Sequence, residues 1–153
     1  MINKPEGINI TQRSILPSGK TTLTLTETRE LEKNNRTVFS SGTSIGVFIL
    51  YTDADYSKAN TLGIAHLNTS MVIFGKTVHD NAGGVNQPSI AKLETIVTEH
   101  EFGHLLGLVD LGSPMQVNHK ETTNNSNHCN KAACLMYFST NVNTMGGILL
   151  SGP

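Results

Sequence analysis

The chain has 153 residues, a length typical of one domain that buries its own hydrophobic core. Its net charge of -1 gives no basic surface for nucleic acid or anionic lipid, so we expect no nucleic-acid partner. No apolar run approaches the roughly 18 residues of a membrane-spanning helix, and we predict no transmembrane segment.

The first half of the chain alternates between strand and helix patterns. Residues 7–16, "GINITQRSIL", have apolar and β-branched positions that predict a first strand. Residues 24–36 are rich in strong helix formers and predict a helix. The near-continuous apolar run at 44–52 predicts a strand buried on both faces. Residues 62–74 return to β-type residues, with a turn expected at 68–70.

The second half begins with a change of period. From Ser89 to Gly107 a helix is predicted, because the residues that recur at helical spacing are Ile90, Leu93, Ile96, Val97, His100 and His104. A long polar stretch follows, as is usual for a functional loop. Strands and helices in this order predict an α+β (α/β-like) fold, with residues 1–153 forming a single domain.

Two histidines on the second helix have the spacing of metal ligands. His100 and His104 are four residues apart and therefore neighbours on one helix face, so both imidazoles can reach one ion. Glu101 points to one side of them, where its carboxylate can take a proton from a water. This H-E-x-x-H pattern is typical of zinc metalloproteases, although two histidines can also lie on an ordinary amphipathic helix.

A longer match extends this pattern. "HEFGHLLGLV" (100–109) resembles the active-site helix of matrix metalloproteinases and related metzincins, and "CLMYF" (134–138) resembles their Met-turn, with Met136 as the methionine. The resemblance implies a twisted mixed β-sheet with an N-terminal helix and a zinc-binding helix. It also implies a zinc metalloendopeptidase with Zn2+ as cofactor, Glu101 as general base and acid, and a peptide or protein substrate. We expect a monomer.

The third zinc ligand is left open by the sequence. In the families that it resembles, this ligand comes three residues after the glycine and eight before the methionine, and no residue here satisfies both spacings. Asp110 fits the first spacing, as in snapalysin-like enzymes, and His128 fits the second, as in archaemetzincins. We favour His128, keep Asp110 as the alternative that could instead orient an imidazole, and note His119 as a third possibility.

Two cysteines lie in the segment between His128 and Met136. We predict a local disulfide between Cys129 and Cys134, with two free thiols as the alternative. A disulfide implies an oxidising compartment, so we expect a secreted, periplasmic or cell-surface protein, although "MINKPEGINI" does not resemble a signal peptide.

The strand that precedes the turn at 68–70 is a candidate substrate strand. Gly63, Ile64 and Ala65 resemble the metzincin edge strand that pairs with an extended substrate, although short apolar runs are common in ordinary strands.

Three functions remain on the sequence alone. The first is a zinc endopeptidase, and the second is a non-catalytic zinc-containing binding module on a protease scaffold. The third is a zinc amidase or esterase. Residues 139–153 are too rich in glycine to predict the C-terminal helix of metzincins, so we expect the domain to be cut short after the Met-turn.

Overall fold

The computed structural model describes residues 4–123 and 125–138. It is a small α+β domain, as predicted. Its helices are α1 (Leu25–Asn35), α2 (Gly75–Asp80) and α3 (Ile90–Leu105). Its strands are β1 (Thr22–Leu23), β2 (Phe48–Thr52), β3 (Asp55–Tyr56), β4 (Gly63–His66) and β5 (Ser70–Phe74).

The strands form two sheets. In the larger sheet β5 lies between β2 and β4, parallel to β2 and antiparallel to β4. The second sheet pairs β1 with β3 in parallel. β5 is buried along its whole length, because it is the central strand and both of its faces are covered. β4 is therefore an edge strand of the larger sheet, with one side unpaired among the described residues.

Helix α1 covers one side of the sheet. Thr24 and Glu27 form a reciprocal capping box that satisfies backbone N–H groups at the start of the helix. Leu25 and Leu31 pack against a buried cluster formed by Leu23, Leu50, Ala54, Ile64, Val72 and Phe74. The helix predicted at 24–36 is thus confirmed, and burial of its apolar side holds it on the sheet.

Helix α3 lies on β4 and β5. Its N-cap is Ser89, whose side chain accepts a hydrogen bond from the Lys92 N–H. Leu93 and Val97 face the sheet in a second buried cluster with Leu62, Ile73 and Val78. This packing fixes the rotation of the helix, so Glu101, one turn beyond Val97, lies against Gly63 of β4.

Helix α3 ends in a left-handed turn. Gly107 has a φ of +72°, and its N–H donates to the His104 carbonyl. Val109 and Asp110 also have positive φ, of 57° and 65°. This conformation is costly for a β-branched residue, and burial of Val109 against Cys129 and Met136 offsets part of the cost.

Two strand predictions are wrong. Residues 7–16 form no strand, and Ile8 and Ile10 are 78% and 87% exposed, because no strand of the described chain pairs with them. The strand predicted at 44–52 begins only at Phe48, and Ile49 and Tyr51 are exposed. β2 lies at the edge of the sheet and has one exposed face. Its apolar composition therefore does not reflect the predicted burial on both faces.

Of the remaining elements, the β4–β5 hairpin was predicted and three short elements were not. The hairpin within 62–74 is confirmed, with its turn at Leu67–Thr69. The short α2, β1 and β3 were not predicted, since two to six residues carry little periodic signal. No helix in the described part of the chain is long and apolar enough to cross a membrane. The expectations about residues 139–153 lie outside the described residues.

Candidate metal centre

Three histidines from two separate segments meet at the end of α3. His100 and His104 come from consecutive turns of the helix, and His128 comes from the loop beyond it. One ligand nitrogen from each of the three lies within 4.8 Å of the others. The three imidazoles therefore form a cluster that could bind a metal ion.

The loop that delivers His128 is held by backbone hydrogen bonds. The His128 N–H donates to the Asn125 carbonyl at 3.0 Å, and the His128 carbonyl accepts from the Glu121 N–H at 2.8 Å. The Cys129 N–H donates to the Met136 carbonyl at 2.7 Å. These bonds hold the backbone on both sides of His128 and thereby position its imidazole beside α3.

The arrangement of the rings suits one shared ion. The Nε2 atoms of His100 and His104 are 3.1 Å apart. Two nitrogens bound to zinc at about 2.0 to 2.1 Å in a tetrahedral site are roughly 3.3 Å apart. The ring centres of His128 lie 5.2 Å from His100 and 4.9 Å from His104, so all three rings surround one point.

Hydrogen bonding leaves nitrogens available at this point. His100 Nδ1 lies 2.8 Å from the Leu135 carbonyl oxygen, so it carries the proton and Nε2 keeps a lone pair. His128 has no partner for either ring nitrogen among the described residues, and His104 Nδ1 also lacks one. Buried polar atoms without partners are rare in folded proteins, so these atoms fit the coordination of a cation.

Burial keeps the three imidazoles neutral. It lowers the pKa of His100 to about 4, and together with the neighbouring His100 and His128 it lowers the pKa of His104 to about 3. The pKa of His128 is also lowered, chiefly by burial. A neutral imidazole is the form that binds a metal, so the site is ready for an ion at neutral pH.

Glu101 lies beside the cluster in an apolar environment. Burial raises the pKa of its carboxyl to about 8, and a hydrogen bond from the Ala65 backbone opposes this change. Its Oε2 has no hydrogen-bond partner within the described structure. Glu101 is therefore a candidate general base and acid, because its carboxyl is buried beside the three histidines, has a raised pKa and has one oxygen without a partner.

Gly103 provides the space for Met136 against helix α3. A Cβ at this position would overlap the Met136 sulfur and lie 3.1 Å from its methyl carbon. Met136 is buried, and the preceding Leu135 carbonyl is the acceptor for His100. Met136 thus packs against α3 between the two histidines of the helix, and this contact depends on the missing side chain of the glycine.

The alternative third ligands lie elsewhere. Asp110 is exposed and its Oδ2 lies 3.3 Å from Lys120 Nζ. It is neither in the cluster nor in contact with an imidazole, so a role in orienting a ligand is not supported. The Nδ1 of His119 lies 3.2 Å from the Cys129 sulfur, and His119 is not a member of the cluster. Of the three candidates, only His128 joins His100 and His104.

The predicted disulfide is wrong. Cys129 and Cys134 are both free thiols. The Cys129 sulfur is instead engaged by His119 and by the Lys131 N–H at 3.3 Å, and these contacts orient it without a covalent bond. The backbone ladder beside Cys129 already holds the segment that the bridge was expected to clamp. The expectation of an exported protein loses the disulfide as its support and stays a prediction.

The candidate substrate strand lies next to Glu101. An ideal Cβ on Gly63 would be 2.9 Å from Glu101 Oε1, so only a glycine allows the carboxyl to lie against β4. Residues of an antiparallel pair alternate in the direction of their backbone groups, and the Phe74 N–H donates to Leu62. Gly63 and Ala65 therefore direct their backbone groups toward the unpaired side of β4.

Some site residues were not identified from sequence. The sequence could have indicated a packing role for Gly103. A glycine inside a helix costs about 1 kcal/mol relative to alanine, so it usually has a packing reason. No sequence pattern indicates that the Leu135 carbonyl accepts a hydrogen bond from His100, because every residue has a backbone carbonyl. His66 is buried, and its Nε2 lies 3.5 Å from Glu32 Oε2.

Comparisons with protein-family models, curated proteins and solved structures find no match to this chain.

Proposed function

We propose that the protein is a zinc-dependent endopeptidase of the metzincin type. The observation that carries the proposal is the buried cluster of His100, His104 and His128 with the Glu101 carboxyl beside it. Three neutral imidazoles and a carboxyl that does not belong to the cluster are the groups that a hydrolytic zinc site requires.

Zinc is the ion that this donor set suits best. Three imidazole nitrogens without thiolate or carboxylate make up the protein ligands of one common class of catalytic zinc site, in which a fourth position stays open. When bound, zinc supplies Lewis acidity at a peptide carbonyl and lowers the pKa of water. His100 would hold its Nε2 toward the ion because the Leu135 carbonyl fixes its Nδ1 proton.

Glu101 moves the proton in this mechanism. Its unpartnered Oε2 would accept a proton from the attacking water and deliver it to the departing amine. The apolar surroundings that raise its pKa make the protonated form accessible near neutral pH, which the second half of this transfer needs.

The unpaired side of β4 would hold the substrate. An extended peptide can add to a sheet edge through backbone hydrogen bonds, and Gly63 offers its N–H and carbonyl there, while Ala65 offers its carbonyl because its N–H donates to Glu101. Because Glu101 contacts both residues, a peptide in this position would pass its scissile bond beside the carboxyl.

The test compares Glu101→Gln with Glu99→Gln. Glu99 lies on the same helix but is exposed, so it is a matched control. After zinc loading, we expect both variants to bind one zinc per chain, and only Glu101→Gln to lose cleavage of a peptide library. Full cleavage by Glu101→Gln would refute the mechanism.

The same experiment separates the proposed activity from its alternative. Zinc bound at unit stoichiometry with no cleavage by the unmodified protein would favour the binding module. Hydrolysis of an amide or ester that is not a peptide, without peptide cleavage, would favour the amidase or esterase.

A further inference from the structure

A cavity of about 290 Å³ lies beside His104, on the side of the cluster reached by the end of β4. One wall is formed by residues 65–68, at the end of β4 and in the following turn. The opposite wall contains Leu105, Leu111 and Asn127. The cavity is at the lower end of the range of small-molecule sites, about 300 to 1,000 Å³, so it has room for a single side chain.

The second wall belongs to the loop between α3 and His128. Leu111 is brought back over the end of the helix, where its N–H donates to the Gly107 carbonyl at 3.2 Å. Ser113 adds two bonds, from its N–H to Gly107 and from its hydroxyl to the Leu106 carbonyl at 2.8 Å. The loop thus has a fixed position where it meets the cavity.

The lining carries no formal charge. None of the lining residues is an aspartate, glutamate, lysine or arginine, and leucines and asparagines predominate. Of the two lining histidines, His66 is uncharged near neutral pH because burial lowers its pKa, and His104 belongs to the three-histidine cluster. A charged side chain that entered would lose hydration without gaining a counterion, whereas an uncharged side chain would contact the leucines.

The cavity is continuous with the proposed substrate strand. Ala65 both contributes the backbone hydrogen bond to Glu101 and lines the cavity. Strand residues advance by about 3.3 Å each, so a peptide paired along β4 would place into the cavity a side chain within about two residues of its scissile bond.

We propose that the loop between α3 and His128, through Leu111, selects peptides that carry an uncharged side chain at this position. The inference rests on the proposed endopeptidase activity and names the substrate class of the same site. Leu111 acts as a specificity residue and takes no part in bond breaking.

The test uses the full chain loaded with zinc and a peptide series in which one position near the scissile bond is Leu, Gln, Lys or Glu. The position is first located with a peptide library. We expect the unmodified protein to cleave the Leu and Gln peptides with kcat/KM on the order of tenfold above the Lys and Glu peptides.

Two variants of Leu111 give the cavity lining a charge of either sign. Leu111→Arg is expected to raise relative cleavage of the Glu peptide, and Leu111→Glu that of the Lys peptide. Leu111 is 43% exposed, so neither substitution forces a charge into the core. Val117→Arg is the matched control, because it adds the same charge on the same loop at a position that is 74% exposed and outside the cavity lining.

The outcomes distinguish the two proposals. Cleavage with an unchanged preference in both Leu111 variants, or an unmodified protein that prefers charged side chains, would overturn the inference and leave the endopeptidase proposal intact. A zinc-loaded protein that cleaves no peptide would overturn the endopeptidase proposal and the inference with it.

Discussion

The ring of His128 lies edge to face with the ring of His104, at 89° and with 4.9 Å between their centres, although a long polar loop separates the two residues. Asp110 follows the helix much more closely in sequence but pairs with Lys120 at the surface. Closeness in the chain is therefore a poor guide to the third ligand, because the loop turns Asp110 outward and returns to the cluster only at His128.

The first prediction concerns this choice of ligand. His128→Ala should reduce zinc affinity by roughly 100-fold or more, because two remaining imidazoles cannot complete a three-ligand site. Asp110→Ala should bind zinc as the unmodified protein does. Metal titration against a competing chelator measures both. Loss of zinc in Asp110→Ala with retention in His128→Ala would reverse the assignment.

The second prediction follows from the Glu101 carboxyl. Burial raises its pKa from an ordinary value of 4.5 to about 8 in the folded protein. Between these pH values the unfolded chain has lost a proton that the folded chain keeps, so this group lowers stability as pH rises. The penalty is absent below about pH 4.5 and complete above about pH 8.

Glu101→Gln removes this titration. In metal-free protein, the free energy of unfolding of the variant relative to the unmodified protein should increase from pH 5 to pH 8, by about 3 to 4 kcal/mol. Urea denaturation with a chelator present, at four pH values, measures the difference. A difference that stays constant with pH would show that the carboxyl is not buried as described.

The third prediction concerns the contact between Gly103 and Met136. Gly103→Ala should destabilise the protein by about 1 to 3 kcal/mol, because the new methyl group overlaps the methionine sulfur. In a Met136→Ala background the same change should cost much less, since the obstructing side chain is gone. Thermal unfolding of the four proteins measures the coupling, and equal costs in both backgrounds would contradict the contact.

The site was more predictable than the sheet. His100, Glu101 and His104 follow from spacing on a helix, because helical geometry fixes which neighbours share a face. His128 could be ranked but not assigned, since its position depends on the path of a loop. The strand prediction at 7–16 was wrong for a different reason. Alternating apolar and polar residues show that a segment can form a strand, but they do not show that a partner strand is present.

The fourth prediction tests the correction of the disulfide. Denatured protein prepared without reductant should contain two reactive thiols per chain, and added reductant should leave the unfolding temperature unchanged. In the native state Cys134 should react with a thiol reagent faster than Cys129, because burial raises the pKa of the Cys129 thiol and shields it. Cys129→Ser and Cys134→Ser assign the two rates, and zero reactive thiols would restore the bridge.

The fifth prediction concerns a buried ion pair at the C-terminal end of α1, where the helix meets the sheet. The Arg36 guanidinium donates to Glu32 Oε1 at 2.7 Å, to Ser70 Oγ at 2.9 Å and to the Gly46 carbonyl at 2.8 Å. Glu32 also accepts from the Ser70 hydroxyl and lies 3.5 Å from His66 Nε2. One guanidinium thus joins the end of α1 to β5 and to the segment before β2, and it shares Glu32 with the histidine that lines the cavity.

Removing this guanidinium leaves a buried carboxylate without its counterion. Arg36→Ala should lower the free energy of unfolding by about 3 to 5 kcal/mol, a range measured when one partner of a buried pair is deleted. Lys20→Ala breaks an exposed pair with Glu27 and should change stability little by comparison. Adding Glu32→Gln to Arg36→Ala should recover part of the loss, because the unpaired charge is then gone. No recovery would mean that packing of the arginine stem, not charge, stabilises the fold at this position.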